Sequence, residues 1–189
     1  MNTIEILYST KDGQALKIAL AAATQLRDAG FTTHLADVRQ ISMLDDPAGV
    51  LLVASVRFAK HDKAAVAAVR KHLRLLNDVP SAFISVSMSA AGTERNVADG
   101  YVKAFLQQTG WKPTLTAKVA GAIGYTEYNF ILKLVMRSIA RKQGLATDTS
   151  QDHEYTDWHD VSRFVGQFAG ILSGKKQEAS AAPTSCPIA

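Results

Sequence analysis

The residues best suited to chemistry lie in a short turn near the start of the chain, Ser9-Thr10-Lys11-Asp12-Gly13-Gln14. This turn follows an apolar segment and runs directly into a segment of helical periodicity. It offers hydroxyls, an amide and successive backbone N–H groups at the start of a helix, and its glycine lets the chain bend closely. Together these groups favour an anion site that is best suited to a phosphate. The alternative is a plain helix N-cap formed by Ser9, Thr10 or Asp12.

Several classes of phosphate-binding protein need residues that this turn does not have. The chain has no GxxxxGK(S/T) motif of a P-loop NTPase and no GxGxxG motif of a dinucleotide-binding turn. Phosphatases of similar architecture need a cysteine and an arginine here, and response-regulator receivers need acidic residues where this chain has Tyr8-Ser9 and Ala54-Ser55. A hydroxyl-rich loop without a pair of metal-binding carboxylates is what the phosphate of flavin mononucleotide (FMN) would use. We therefore expect FMN in this turn, and no metal.

Strand and helix signals alternate along the chain and must position this turn. Strand patterns occupy residues 3–9, 32–38, 49–55, 81–87 and 114–124. Helical periodicity occupies residues 13–27, 62–76 and 96–109, and Thr156 or Asp157 is suited to cap a last helix. Such alternation predicts an α/β fold, a doubly wound parallel sheet with helices on both faces.

Two segments do not fit the alternation. Residues 125–155 form a stretch too long for an ordinary connection, which predicts a functional insert after or within the fifth strand. From Gly174 onward the sequence is small, polar and proline-bearing, which predicts a disordered tail over 174–189. Residues 1–173 are then expected to form a single domain.

The overall composition limits the classes of protein further. Of the 189 residues, 47% are hydrophobic, which is typical of a globular chain. The one cysteine, Cys186, excludes a disulfide framework and a cysteine-rich metal site and fits a reducing compartment. We expect no signal peptide, and no window reaches the roughly 20 apolar residues that span a bilayer. The net charge of +4 suits an anionic ligand or surface without choosing among them, and we expect no nucleic-acid partner.

The turn and three further stretches carry a resemblance to a known family. The stretch "ILYSTKDGQALKIA" is similar to the phosphate loop of the flavodoxins. Residues 54–61 ("ASVRFAKH"), 80–86 ("PSAFISV") and 120–161 (beginning "AGAIGYTEYNF") resemble the flavodoxin-like, quinone-dependent protoporphyrinogen oxidases of bacteria. The last stretch is the most specific, because ordinary flavodoxins carry no basic helix after the fifth strand.

This resemblance covers about residues 1–172 and implies both a fold and a function. The implied fold is flavodoxin-like, with five parallel strands in the order 2-1-3-4-5. The implied cofactor is FMN, the substrate is protoporphyrinogen IX, and the electron acceptor is a membrane quinone, either menaquinone or ubiquinone. We accordingly expect a peripheral protein at the cytoplasmic face of the inner membrane. An electron-transfer flavodoxin and a NAD(P)H:quinone reductase stay open as alternatives, as does a homo-oligomer.

The loops after strands three and four are expected to flank the flavin ring. In the first loop the candidate cofactor ligands are Ser55, Val56, Arg57 and Phe58. In the second they are Ser85, Val86, Ser87, Met88, Ser89 and Ala90. The first loop is basic, whereas ordinary flavodoxins are acidic around the flavin, and the second has none of the aromatic residues that flavodoxins often place there. One face of the flavin is thus expected to be open to a large flat substrate.

The basic loop also predicts substrate contacts, from Arg57, Lys60 and His61. Arginine can hold a propionate carboxylate through two parallel hydrogen bonds. The alternative for Lys60 is a solvated loop. His61 has the ordinary pKa of an acid–base catalyst, but a lone loop histidine is more often solvated, so no catalytic residue is assigned.

Within the insert, residues 128–144 ("YNFILKLVMRSIARKQG") predict a helix with an unusual surface. Its cations recur every four residues in one stripe, apolar side chains cover most of the rest, and aromatic residues stand at its start. This pattern is typical of a helix lying in a membrane interface. The residues expected to face the membrane are Tyr128, Phe130, Lys133, Arg137 and Arg141. The alternatives are a helix packed on the domain with its cations in water, a substrate contact and a dimer contact.

Overall fold

The computed structural model describes residues 2–92, 95–127, 130–142 and 144–181. Within these ranges the strands are β1 (Thr3–Ser9), β2 (Thr32–Asp37), β3 (Gly49–Arg57), β4 (Lys60–His61), β5 (Ser81–Ser87), β6 (Leu115–Ala120), β7 (Ala122–Ile123) and β8 (His153–Glu154). The helices are α1 (Gln14–Asp28), α2 (Lys63–Lys71), α3 (Leu73–Asp78), α4 (Arg95–Thr109), α5 (Phe130–Lys142) and α6 (Trp158–Ala181).

The five long strands form one parallel sheet in the order β2-β1-β3-β5-β6. This is the predicted order 2-1-3-4-5, because β4 is a two-residue strand that pairs only at the end of β3. The flavodoxin-like α/β fold is thereby confirmed. The chain leaves β1 toward β2 on one side and returns to β3 on the other. The point of reversal therefore lies between the carboxyl ends of β1 and β3, which is where open sheets of this kind bind ligands.

The three central strands, β1, β3 and β5, send alternate side chains into two apolar layers. Leu51 and Val53 of β3 pack with α1 and α6, whereas Val50 and Leu52 pack with α2 and α4 on the opposite face. All seven residues of β5 are buried, as expected of a central strand that is covered on both faces. A Cβ on Gly49 would lie 2.5 Å from Cδ2 of Leu172 and 3.1 Å from the carbonyl oxygen of Pro80, so a larger residue here would displace the Leu172 side chain of α6.

The insert is held at its base by a small second sheet. The predicted fifth strand is interrupted at Gly121, and its last part, β7, pairs antiparallel with β8, with Ala122 opposite Glu154. Helix α5 packs back through Ala140, which is buried with Tyr125. None of the helices in the described ranges is long and apolar enough to cross a membrane.

The end of the chain differs from the expectation at one point. Helix α6 continues to Ala181, past Gly174, where the disordered tail is predicted to begin. Lysine, glutamine, glutamate and alanine dominate 175–181, and these are good helix formers that let the helix propagate. Residues 182–189 of the predicted tail lie outside the described residues.

Candidate functional site

A cleft of about 370 Å³ opens at the carboxyl ends of β1, β3, β5 and β6. It lies at the predicted position, beside the point where the strand order reverses. Its walls come from the three predicted loops and also from α4, the start of β7 and α5. The lining residues are Thr10, Asp12, Gln14, Ala15, Ser55, Val56, Arg57, Phe58, Ala59, Val86, Ser87, Met88, Ser89, Tyr101, Gly121, Ala122 and Met136.

The turn after β1 is built as an open helix N-terminus. Gly13 stands at the N-cap of α1 with a φ of 82°, a left-handed conformation that favours glycine. No side chain caps α1, so the alternative of a plain N-cap by Ser9, Thr10 or Asp12 is wrong. The Thr10 hydroxyl is buried in the cleft wall and has no partner among the described residues. A buried hydroxyl without a partner is costly, so this oxygen is suited to a bound polar ligand.

Ser9, Lys11 and Gln14, which are also predicted to bind the cofactor, have different positions relative to the cleft. Ser9 is buried in the sheet and does not line the cleft. Lys11 also lies off the cleft, with its Nζ 3.5 Å from the Asp62 carboxylate. Gln14 lines the cleft, but its amide donates to Oγ1 of Thr156 at 2.7 Å and to the carboxylate of Glu154 at 3.0 Å. The side chains of Lys11 and Gln14 are therefore already engaged within the protein.

The loop after β3 is a tight hairpin rather than an open loop. Phe58 and Ala59 both have a positive φ, of 49° and 61°, between the paired residues Arg57 and Lys60. Such turns usually carry glycine or asparagine, because positive φ costs other residues of order 1–2 kcal/mol. Phe58 is 78% exposed at the cleft, with the Arg57 guanidinium 5.5 Å from its ring centroid. Strain of this kind is often kept where a functional side chain must be held in place.

Arg57 also faces the turn after β1 across the cleft. Its Nη1 lies 3.8 Å from Oδ1 of Asp12, and both side chains are 39% exposed. Asp12, Arg57 and Tyr101 are the ionisable side chains that line the cleft within the described part of the chain. The cleft therefore presents one accessible guanidinium beside an exposed aromatic ring.

The predicted substrate contacts at Lys60 and His61 do not lie on the cleft lining. His61 turns inward to pack against the rings of Phe83 and Phe105, at centroid distances of 5.4 Å and 4.8 Å. Its Nε2 lies 2.9 Å from Oγ of Ser85. Burial lowers the pKa of His61 to about 4, so the ring is neutral near pH 7. It is placed to hold β4 against β5 and does not line the cleft.

The loop after β5 contributes most of the residues predicted for it. Val86, Ser87, Met88 and Ser89 line the cleft. Ser85 does not, because its hydroxyl meets His61, and Ala90 lines a second, separate cavity. The Ser87 hydroxyl, like that of Thr10, is buried without a partner among the described residues.

Six lining residues were not predicted from the sequence. They are Ala15, Ala59, Tyr101, Gly121, Ala122 and Met136. Gly121 and Ala122 follow the carboxyl end of β6, so the rule that ligands bind beyond strand ends could have found them. Tyr101 and Met136 come from helices that the tertiary fold brings to the cleft, and no sequence signal marks them.

Helix α5 presents a mixed apolar and basic outer surface. Ile131, Leu134 and Val135 are 74%, 52% and 42% exposed. Among the predicted membrane-facing cations, Arg137 and Arg141 are exposed and Lys133 is partly buried. Tyr128 lies outside the described residues, as does the side chain of Phe130.

The cleft fits FMN in its chemistry. An uncapped helix N-terminus and the free Thr10 hydroxyl are donors for a phosphate. The Ser87 hydroxyl offers a further unsatisfied polar group elsewhere in the wall, and apolar residues such as Val56 and Met88 can cover a flat ring system.

Comparisons with known proteins agree with this fit. Residues 5–150 match a flavodoxin domain family model, which confirms the prediction of FMN as cofactor. The protoporphyrinogen IX dehydrogenase (quinone) of Escherichia coli strain K12 is 33% identical over 170 residues, covering 88% of this chain and 94% of that protein. The protein of the same name from Leishmania major is 36% identical over 173 residues, covering 88% of this chain and 74% of that one.

A solved structure shows the same fold at lower identity. A mutant flavodoxin from Pseudomonas aeruginosa aligns with a TM-score of 0.55 and 16% identity, covering 91% of this chain and 99% of that one. The two dehydrogenases confirm the resemblance seen in the sequence, because each is at least 33% identical over most of its length. The chain therefore belongs to the flavodoxin domain family and is related over most of its length to these protoporphyrinogen IX dehydrogenases.

Proposed function

We propose that this protein is an oxidoreductase that dehydrogenates protoporphyrinogen IX to protoporphyrin IX with FMN as cofactor and a quinone, menaquinone or ubiquinone, as electron acceptor. The observation that carries the proposal is the 33% identity to the Escherichia coli enzyme over 94% of that enzyme's length. The basic hairpin after β3 and the basic helix of the insert favour this proposal over an electron-transfer flavodoxin.

Three elements of the chain would hold the cofactor. The N-terminus of α1 and the Thr10 hydroxyl would bind the phosphate, and Ser87 would satisfy a polar atom of the cofactor from the end of β5. Bound FMN supplies the hydride acceptor and passes the electrons on to the quinone. The protein's own contribution is to hold, orient and partly enclose the reacting partners.

Arg57 and Phe58 would recognise the substrate. Phe58 is held at the mouth of the cleft by a strained hairpin, and its exposed ring is suited to stack on a flat macrocycle. Arg57 stands beside it with its guanidinium accessible, and a propionate carboxylate would bind it in place of Asp12, whose contact at 3.8 Å is loose. Lys60 is exposed in the same hairpin and adds positive charge outside the cleft.

An anaerobic mixing experiment tests the proposed reaction against both alternatives. The FMN-loaded protein is mixed with protoporphyrinogen IX or with NAD(P)H, and the visible absorbance of the flavin is followed. We expect bleaching with the porphyrinogen and recovery of the colour when a quinone is added. Bleaching by NAD(P)H alone would indicate a quinone reductase, and bleaching by neither donor would indicate an electron carrier.

We further propose that the exposed face of α5 binds the membrane peripherally at its cytoplasmic face. Ile131, Leu134 and Val135 lie three and four residues apart and so share one side of the helix. Arg137 and Arg141 adjoin them, in the last turns, where they can meet lipid phosphates. A lipid surface suits this combination of apolar and cationic groups, and the quinone is itself dissolved in lipid.

Vesicle sedimentation tests the membrane proposal. Removing both arginines (R137A with R141A) is expected to weaken binding to anionic vesicles about fivefold per arginine, with a smaller change on neutral vesicles. Leu134→Ser is expected to weaken binding to both. Leu20→Ser is the matched control, because Leu20 is similarly exposed, at 48%, on α1. If the protein ignores vesicles and Leu134→Ser instead splits a dimer, α5 is a subunit contact.

A further inference from the structure

The returning strand of the insert, β8, is tied to the first turn of α1 by a single carboxylate. Glu154 accepts hydrogen bonds from the Gln14 amide at 3.0 Å, the Lys17 ammonium at 2.6 Å and the Trp158 indole at 2.8 Å. Lys17 also lies 5.3 Å above the centroid of the Trp158 ring. The hydrogen bond from Lys17 is the largest cause that holds the pKa of Glu154 below its usual value.

A second chain of hydrogen bonds runs beside this carboxylate. The Gln14 amide donates to Oγ1 of Thr156, and that hydroxyl donates to the carbonyl of Ala120 at the end of β6, each at 2.7 Å. The backbone N–H of Tyr155 donates to the carbonyl of Gly121 at 3.1 Å. The base of the insert is therefore fixed at once to the phosphate turn and to the strand end that borders the cleft.

Glu154 lies between two parts of the chain that line the cleft. On one side is Gln14, which lines the cleft and begins α1, immediately after the phosphate turn. On the other side is the insert, whose α5 contributes Met136 to the lining of the cleft. A shift of β8 would have to break the contacts to Gln14 and Lys17. The conformation of the insert and the conformation of the first turn of α1 therefore depend on each other.

We infer that Glu154 is a positioning residue that couples the phosphate turn to the insert, so that binding of the FMN phosphate and docking of α5 over the cleft stabilise each other. The inference rests on the cofactor assignment and is independent of which donor the enzyme oxidises. Coupling between two sites is reciprocal. Bound FMN should therefore protect the insert from proteolysis, and a change that loosens the insert should weaken the binding of FMN.

The test compares FMN with riboflavin, which has the same ring system and no phosphate. Full-length protein freed of FMN is titrated with each flavin by fluorescence and digested briefly with trypsin, which cuts in α5 after Lys133, Arg137, Arg141 or Lys142. In the wild-type protein we expect FMN to slow cleavage in α5 and riboflavin to do so much less. Glu154→Ala should raise the Kd for FMN about tenfold, change the Kd for riboflavin less than twofold, and abolish the protection of α5 by FMN.

Two further variants make the result decisive. Glu154→Gln keeps an acceptor oxygen for Gln14 and Trp158 and loses the ion pair with Lys17, so it should give an intermediate loss even if Glu154→Ala does not fold. Glu5→Gln removes a carboxylate that contacts only the His34 side chain, at 2.7 Å, among its described side-chain partners, and should leave both readouts unchanged.

The outcomes separate this inference from the proposals on which it rests. An equal loss of FMN and riboflavin, or unchanged FMN affinity in both Glu154 variants, would overturn the coupling and leave FMN as the cofactor. If the wild-type protein binds no FMN, the cofactor assignment falls and the coupling with it. Failure to oxidise protoporphyrinogen with normal FMN binding would reject the proposed reaction alone.

Discussion

Replacing Thr10 by valine should stabilise the protein without FMN and weaken its binding of FMN. The Thr10 hydroxyl is buried in the cleft wall and has no partner among the described residues. Leaving a buried hydroxyl unpaired costs roughly 1–3 kcal/mol, and valine replaces it with a methyl group of similar shape. We expect the FMN-free variant to gain about 1 kcal/mol in its free energy of unfolding, which raises Tm by about 2–4 °C.

The same substitution removes a donor from the phosphate. A hydrogen bond to a charged group contributes about 1.5–3 kcal/mol, so the Kd for FMN should rise roughly 10- to 100-fold. The Kd for riboflavin should change little, since riboflavin has no phosphate. Thermal unfolding of the FMN-free protein measures the gain in stability, and fluorescence titration with both flavins measures the loss of affinity. The substitution should therefore stabilise the FMN-free protein and reduce the further stabilisation that bound FMN provides.

Thr109→Val is the matched control for this substitution. Thr109 is a buried threonine whose hydroxyl, unlike that of Thr10, has a partner, because it donates to the carbonyl of Phe105 at 2.8 Å. Its replacement should lower Tm and leave the affinity for FMN unchanged. If Thr10→Val also lowers Tm and leaves the Kd for FMN within about twofold, the assignment of Thr10 to the phosphate is wrong.

Three further substitutions test the loops around the cleft. Burial lowers the pKa of His61 in the folded protein to about 4, whereas the unfolded chain has a histidine pKa near 6.5. Between these two values the unfolded chain binds a proton that the folded protein does not, so the free energy of unfolding decreases as the pH falls from 6.5 toward 4. From pH 7.5 to pH 5, the free energy of unfolding measured in urea should fall by about 2 kcal/mol more for the wild-type protein than for His61→Gln. The same pH dependence in both proteins would contradict the burial of His61. Ala59→Gly should raise the free energy of unfolding by about 1 kcal/mol because φ is 61°, whereas the same change at the exposed helical Ala67 should lower it by about as much. Arg57→Ala should raise KM for protoporphyrinogen IX about tenfold or more with a smaller change in kcat, and Arg57→Lys should restore only part of it; an unchanged KM would remove Arg57 from substrate binding.

The long elements could be predicted from the sequence because their signals are local. The apolar runs that became β3 and β5 are buried on both faces, and the helical stripe of α1 packs against the sheet as its periodicity indicates. The short elements could not be predicted. The β3–β4 hairpin turns at Phe58 and Ala59 without glycine or asparagine, and β7 pairs with β8 across the whole insert.

The site was predicted at the level of loops and less well at the level of side chains. Ser85 and Ser87 are the same residue type two positions apart on β5, and both were expected to bind the cofactor. What separates them is His61, which returns through β4 to meet Ser85 and leaves Ser87 unpaired in the cleft. The sequence contains both residues of the His61–Ser85 pair, but only the fold brings them together.

The phosphate turn shows why counting polar residues overstates the number of donors available to a ligand. Lys11 is held by Asp62, and Gln14 is held by Glu154 and Thr156, about 140 positions away in the sequence. A polar side chain in a turn is available to a ligand when it lies at the site and nothing else in the fold reaches it. Thr10 meets both conditions, because it lines the cleft and its buried hydroxyl has no partner among the described residues. The polar residues that the fold has already engaged then acquire a different role. Through Gln14 they connect the phosphate turn to the insert, so the same richness in polar groups that predicted a binding site also joins that site to the helix proposed to meet the membrane.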